Sequence, residues 1–163
     1  MIIGIDVGTR AAGIAALDDS GKLRWSSQII IQGGALNDRL WHLLGEIDLA
    51  VRDEVYLGPV WAYIESPPYV QNHATHAALH QGVGIVKAAL MHNMILPRNI
   101  HELTPAEIKA AFTGHGKATK AGVQRVVKMQ FGIDAGEDEA DAIATAYAGY
   151  CKLREEALDA DGV

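Results

Sequence analysis

The sequence contains a single cysteine, Cys151, among 163 residues. One thiol excludes an internal disulfide and a cysteine-built metal centre, and it points to a reducing compartment, the cytoplasm. No stretch approaches the roughly 18 apolar residues that a membrane-spanning helix needs. The opening Met-Ile-Ile-Gly-Ile-Asp lacks a basic stretch and reaches an acid at Asp6, unlike a secretory leader. Linkers, internal repeats and low-complexity tracts are also missing. With 49% hydrophobic and 21% charged residues, the chain has material for one ordinary core. One domain over residues 1–157 is expected, with 158–163 a fraying acidic tail.

Positive charge is scarce as well. Fourteen Lys and Arg face 20 Asp and Glu, a net charge of −6. Taken alone, that sum argues against a nucleic-acid partner, because phosphate binding runs on Lys and Arg. The distribution qualifies it. Between Arg98 and Lys128 six bases face two acids, a local +4. From Ile133 onward nine acids face two bases, a local −7, which bound divalent cations would offset in part.

Hydrophobic periodicity and turn signals predict the element order βββαβαβααα. Strands are expected near 1–6, 12–17, 22–31, 60–65 and 95–103. Helices are expected from about Leu36 to Val51, over 72–93 with Asn72 as N-cap, and after Thr104-Pro105, whose N-cap and N1 proline open a helix. Two more are expected over about 117–129 and 137–158. The first three strands read as antiparallel, joined at Asp18-Asp19-Ser-Gly. The natural packing is an α/β domain: a mixed five-stranded sheet flanked by helices on both faces. Trp25, Trp41 and Trp61 read as core or sheet-face residues, and Cys151 as a small buried hydrophobe.

Within that order, Asp6 and Glu65 end two apolar strands. Asp138 and Asp141, three apart on a helix, share a face. Singly, each has an ordinary explanation: a turn residue, a solvated strand end, acids favoured by a helix N-terminus. Jointly, four converging carboxylates require cations. Hard oxygen donors suit Mg²⁺ or Mn²⁺ rather than zinc. Two such ions can clamp the attacking and leaving oxygens of a phosphodiester.

The segments Ile-Gly-Ile-Asp6-Val-Gly-Thr, Tyr-Ile-Glu65 and Asp138-Glu-Ala-Asp141-Ala-Ile-Ala together resemble the RuvC family of Holliday-junction resolvases, in the ribonuclease H-like superfamily. Asn72, Gln81 and Gly84 follow Glu65 at similar spacing, and the likeness runs from Ile2 to about Tyr150. The resemblance implies a ribonuclease H-like fold and an endonuclease that cuts four-way or other branched DNA, leaving 5′-phosphate and 3′-hydroxyl ends. It implies Asp6, Glu65, Asp138 and Asp141 as catalytic ligands of two Mg²⁺, with Mn²⁺ able to substitute, and no small-molecule cofactor. It also implies basic residues at the scissile phosphate. Lys109 and Lys120 match best, Lys120 with a catalytic role, and Lys117 rivals Lys120 within the same loop. For each lysine, a solvated helix face is the competing explanation. There are two departures. Pro68 stands where the family carries an aromatic, so base stacking would fall to Tyr69. The acidic total is the other, and it suits a viral or divergent member acting in a host cytoplasm.

The helix from Asn72 carries Ala74, Ala77, Ala78, Gly82 and Gly84, small residues that permit close helix approach. The resemblance implies a homodimer built around it, matching the near two-fold symmetry of a four-way junction. His73, His76 and His80 share one face of the same helix, read either as a polar stripe or as transition-metal ligands. Three other functions compete: an RNA-processing nuclease resembling the YqgF group, an ATPase lobe using Asp6-Val-Gly-Thr9 on phosphate, and a non-catalytic junction-binding module. The Asp138/Asp141 pair favours the junction nuclease over the first. The lack of a second lobe and of a second glycine-rich loop disfavours the ATPase. Four acids without a cation would only destabilise a binding module.

Overall fold

The computed structural model describes residues 1–160. Three strands open the chain: β1 (Ile2–Val7), β2 (Ala11–Leu17) and β3 (Leu23–Ile30). Helix α1 (Leu36–Arg52), strand β4 (Trp61–Glu65), helix α2 (His73–His92) and strand β5 (Ile100–Leu103) follow. Helices α3 (Pro105–Thr113), α4 (Lys120–Phe131) and α5 (Glu137–Ala160) end it. The five strands form one sheet in the order β3-β2-β1-β4-β5. β1/β2 and β2/β3 pair antiparallel, and β1/β4 and β4/β5 pair parallel.

Strand alternation divides the core into two layers. Ile3, Ile5 and Val7 of β1 point to one face, where Leu43, Ile47 and Val51 of α1 and Val83, Val86 and Leu90 of α2 cover them. Ile2 points to the other face, where Ile108, Phe112, Val123, Val127 and Ile143 of α3, α4 and α5 form the second layer. Each helix buries an apolar stripe, so the sheet is covered on both sides, as the sequence pattern requires.

The element order agrees with expectation, and the boundaries differ for local reasons. β5 begins only at Ile100, because a short 3₁₀ turn over Pro97–Asn99 precedes it. Pro97 fixes its own φ and has no N–H to give a ladder. α4 starts at Lys120 rather than near 117, since the Thr119 hydroxyl accepts from Gly122 N at 3.2 Å and caps it there. A 3₁₀ turn at Glu54–Leu57 has no counterpart in the expected order. Residues 158–160, expected to fray, continue α5; residues 161–163 of that tail lie outside the described residues.

The aromatic expectation needs correction at one position. Trp25 and Trp61 are half-buried, and the Trp25 indole donates to Glu54 at 2.6 Å. Trp41 is 77% exposed. It lies two residues from buried Leu43, about 200° around α1, so it faces away from the sheet. Cys151 is half-buried rather than core, and burial raises its thiol pKa.

Candidate active site

Asp6 shares its face of β1 with Ile2 and Gly4, the face that α5 covers. Glycine in a strand interior marks close backbone approach. At Gly4 an added methyl would collide with the backbone of Ala142 and Ala146, and at Gly13 with the carbonyl of Asp138. Gly13 is the β2 partner of Asp6. The first turns of α5 therefore rest directly on strand backbone beside Asp6, and Asp138 is carried there with them. β4 runs parallel to β1 with Ile64 beside Ile5, so Glu65 stands level with Asp6. Glu65 faces α5 as Tyr63 does, whose ring fills the space a side chain at Gly149 would need.

The four acids consequently act on one another. Burial, then repulsion from Glu65, Asp141 and Asp138, pushes the Asp6 carboxyl up to about 7, against a smaller pull from Lys120. Glu65 is also pushed up to about 7, by burial and by Asp141, while Lys109 and Lys120 oppose the rise. Burial raises Asp141 too, with the same two lysines opposing it and Asp138 adding to it. Two lysines thus reach the cluster electrostatically, one from α3 and one from the first turn of α4. Lys120 also pairs with Glu137 at the start of α5. Lys117, the rival of Lys120, is exposed in the turn before α4 and is not among the charges that shift these acids.

This donor set fits a hard divalent cation. It offers carboxylate oxygens only, in a place where burial, and then mutual repulsion, raises two of them to about 7 and a cation would offset both effects. Among the described residues, no three His, Cys, Asp or Glu side chains already stand at common ligand distance. Asp138 Oδ2 accepts from Gln28 Nε2 at 2.6 Å. Next to it, Ser26 donates to Glu139 at 2.7 Å. Edge strand β3 thereby grips the first turn of α5. Sequence reading missed Gln28 and Ser26, which carry no motif. It also passed over Gly4 and Gly13, although glycines inside two apolar strands are a readable signal.

Tyr69 is 82% exposed in the loop between β4 and α2, its ring centroid 6.1 Å from that of His76. A cavity of about 530 Å³ lies at the opposite end of the sheet, among Asp48, Tyr56, Val60, His92 and Ile95, and none of the four acids lines it.

Fold and site together define a class: a ribonuclease H-like domain with an acidic centre at the ends of its two central parallel strands. Comparison with known proteins narrows the class. The model of the family "Crossover junction endodeoxyribonuclease RuvC" matches residues 2–148. The crossover junction endodeoxyribonuclease RuvC of Coxiella burnetii is 33% identical, over 99% of this chain and 95% of its own. That of Carboxydothermus hydrogenoformans is 30% identical, over 93% and 96%. Among solved structures, Thermus thermophilus RuvC in complex with Holliday junction substrate superposes with a TM-score of 0.78 over 95% of each chain, at 18% identity. The yeast mitochondrial Holliday junction resolvase gives 0.59 at 13% identity, over 94% of this chain and 80% of its own. This chain belongs to the RuvC family of crossover junction endodeoxyribonucleases.

Proposed function

We propose that this chain cuts four-way DNA junctions by metal-dependent phosphodiester hydrolysis, with Asp6, Glu65, Asp138 and Asp141 as the catalytic carboxylates. The observation that carries it is the meeting of these acids with Lys109 and Lys120 on a RuvC-family domain. The family's chemistry depends on a divalent metal. We assign two Mg²⁺ to the four acids, replaceable by Mn²⁺; when bound, they supply Lewis acidity and an activated water. The protein's own contribution is placement. α5 and the two parallel strands hold the carboxylates at one level, and partial burial limits competing water. Lys109 and Lys120 set positive charge where a phosphate must come close to four acids, with Lys117 an outer contact. Tyr69 presents an open ring for a base next to the cut, and hydrolysis with departure of the 3′-oxygen leaves 5′-phosphate and 3′-hydroxyl ends.

Assembly belongs to the same reading. Gly82 packs against Val7 of the sheet, 2.9 Å from where a Cβ would sit, whereas Ala74, Ala77, Gly84 and Ala88 are exposed along the outer side of α2. That side suits a two-fold homodimer that cuts both opposed strands in one encounter. The nuclease domain spans 1–157, with 158–163 as an acidic end, and acts in the cytoplasm, a host's if the source is viral. Among the described residues no helix is long and apolar enough to cross a membrane.

One assay tests the function. Labelled four-way junction, fork, duplex and structured RNA are incubated with the protein, with and without Mg²⁺. Paired, Mg²⁺-dependent incisions in the four-way junction are expected. Cleavage of structured RNA in preference to the junction would replace this reading with an RNA-processing one.

A further inference from the structure

Three histidines share the outer face of α2, and the structure separates them. His76 and His80, one turn apart, bring their rings together with centroids 4.4 Å apart, tilted by 55°. Their Nε2 atoms lie 3.3 Å from each other. His73, one turn earlier, takes no part in this contact. The pair stands apart from the acids: neither ring is among the groups that act on Asp6, Glu65 or Asp141.

The distance is informative. Imidazole binds zinc at about 2.0–2.1 Å, and two such bonds opened at a tetrahedral angle hold their nitrogens about 3.3–3.4 Å apart. The two Nε2 atoms already stand at that separation. An i, i+4 pair on one helix is fixed by backbone geometry, so little rearrangement is needed. His80 is exposed and His76 is half-exposed, and the pair sits on average about 90° around α2 from the Ala74, Ala77, Gly84 and Ala88 stripe assigned to the dimer, so an ion has access from solvent and water can fill its remaining positions. Neutral imidazole binds a metal through a bare Nε2, so in the loaded site each ring carries its single proton on Nδ1, and a ring whose Nε2 donates in the metal-free contact changes tautomer on binding.

We propose that His76 and His80 form a two-histidine site for a borderline-soft divalent transition metal, Zn²⁺, Ni²⁺ or Cu²⁺, separate from the carboxylate centre. Imidazole nitrogen selects these ions and discriminates against Mg²⁺, so the two sites differ in donor chemistry. A metal there cross-links two successive turns at the start of α2, directly beside the loop that displays Tyr69.

Titrating Zn²⁺ into the intact protein by calorimetry, with excess Mg²⁺ present, tests this. His76→Gln and His80→Gln keep polarity and helix propensity, and circular dichroism checks that each variant stays folded. Wild type should bind one Zn²⁺ per chain that the double variant does not. Each single variant should weaken that event at least tenfold, and His73→Gln should leave it unchanged. Cu²⁺ should bind more tightly than Zn²⁺, with an electron paramagnetic resonance spectrum showing two coordinated nitrogens that falls to one in either single variant. Amides of residues 76–81 should exchange more slowly with Zn²⁺ present in wild type only. Identical isotherms for wild type and the double variant, or equal loss in His73→Gln, overturn the proposal.

Discussion

A single sequestered carboxylate, Asp48, and a cluster of them lie at opposite ends of the same sheet, and they behave in opposite ways. At one end Asp48 of α1 accepts from Arg52 at 2.5 Å and Asn93 at 2.8 Å, with His92 Nδ1 also 2.8 Å away. These partners, His92 foremost, hold its carboxyl down to about 2. At the other end burial, and then the neighbouring acids, push Asp6 and Glu65 both up to about 7. An acid whose hydrogen bonds are complete fastens α1 to the end of α2. An acid left among its own kind is a place prepared for something positive from outside. The two ends thus differ in whether a sequestered carboxylate has partners of its own within the chain.

The sharpest way to break this contrast is to neutralise one acid at each end. Asp6→Asn should abolish junction cleavage, by a thousandfold or more on the order of what a lost catalytic group costs. The same change should raise the melting temperature of the metal-free protein, by about 2–4 °C if roughly 1 kcal/mol of repulsion is relieved. Asp48→Asn should do the reverse, lowering the melting temperature by several degrees while leaving the cleavage rate within about twofold. Junction assays and thermal melts on the two variants decide the matter; retained cleavage in Asp6→Asn would sink the assignment of the acidic end.

Gly13→Ala comes next. Its methyl meets the Asp138 carbonyl, so α5 must lift. Overpacking of this kind costs about 1–3 kcal/mol. Cleavage should fall about a hundredfold, because a displacement near 1 Å at the chemistry has that effect. Gly45→Ala on the exposed side of α1, where a methyl meets open space, is the matched control and should change cleavage little.

The third expectation concerns pH. Asp6 and Glu65 bind protons more readily folded than unfolded, so their contribution to stability falls as pH rises from about 4 through about 7. Asp48 has the opposite sign: its contribution is present above about 4 and is lost as pH drops toward 2. Metal-free protein should therefore melt highest in mildly acidic solution, and added Mg²⁺ should flatten only the alkaline limb. Melts across pH 2–9 that show no Mg²⁺-dependent limb would refute the unsatisfied-acid reading.

The smallest effect is expected at Gln28. Gln28→Ala removes the 2.6 Å donor to Asp138 from an exposed position. Cleavage should shift by a few-fold, with an altered Mg²⁺ requirement and an unchanged melting temperature. A loss as large as that of Asp6→Asn would mean that Gln28 does more than steady Asp138.

The acidic end was legible because its signals are local. Acids replace hydrophobes where two apolar strands end, and a three-residue spacing puts two acids on one helix face. The different placement of Lys117 and Lys120 relative to the acids was not legible. It depends on Thr119 capping α4, which puts Lys120 in the first turn and leaves Lys117 outside the helix. The grip of Gln28 and Ser26 on α5 was hidden for another reason. It joins residues 110 or more apart in sequence, across a register that only the folded sheet defines. Trp41 misled because aromatic size suggests burial, while its position on α1 points it outward. The completed bonds of Asp48 were equally invisible, since their members come from two helices brought side by side only by packing.

Gly4 and Gly13 have a further consequence. Most helix-to-sheet distances are set by side chains wedged between the layers, so they drift as those side chains are exchanged over evolutionary time. Here the spacer has been removed and backbone meets backbone, which gives the acidic end a fixed reference plane with no shim. Substitutions in the other layer, beneath α1 and α2, are free to wander in size and loosen or tighten the molecule without altering the gauge between Asp6 and α5. Robustness of the core and accuracy of the chemistry can then be selected separately, and a laboratory seeking a hardier variant should work on the α1–α2 side.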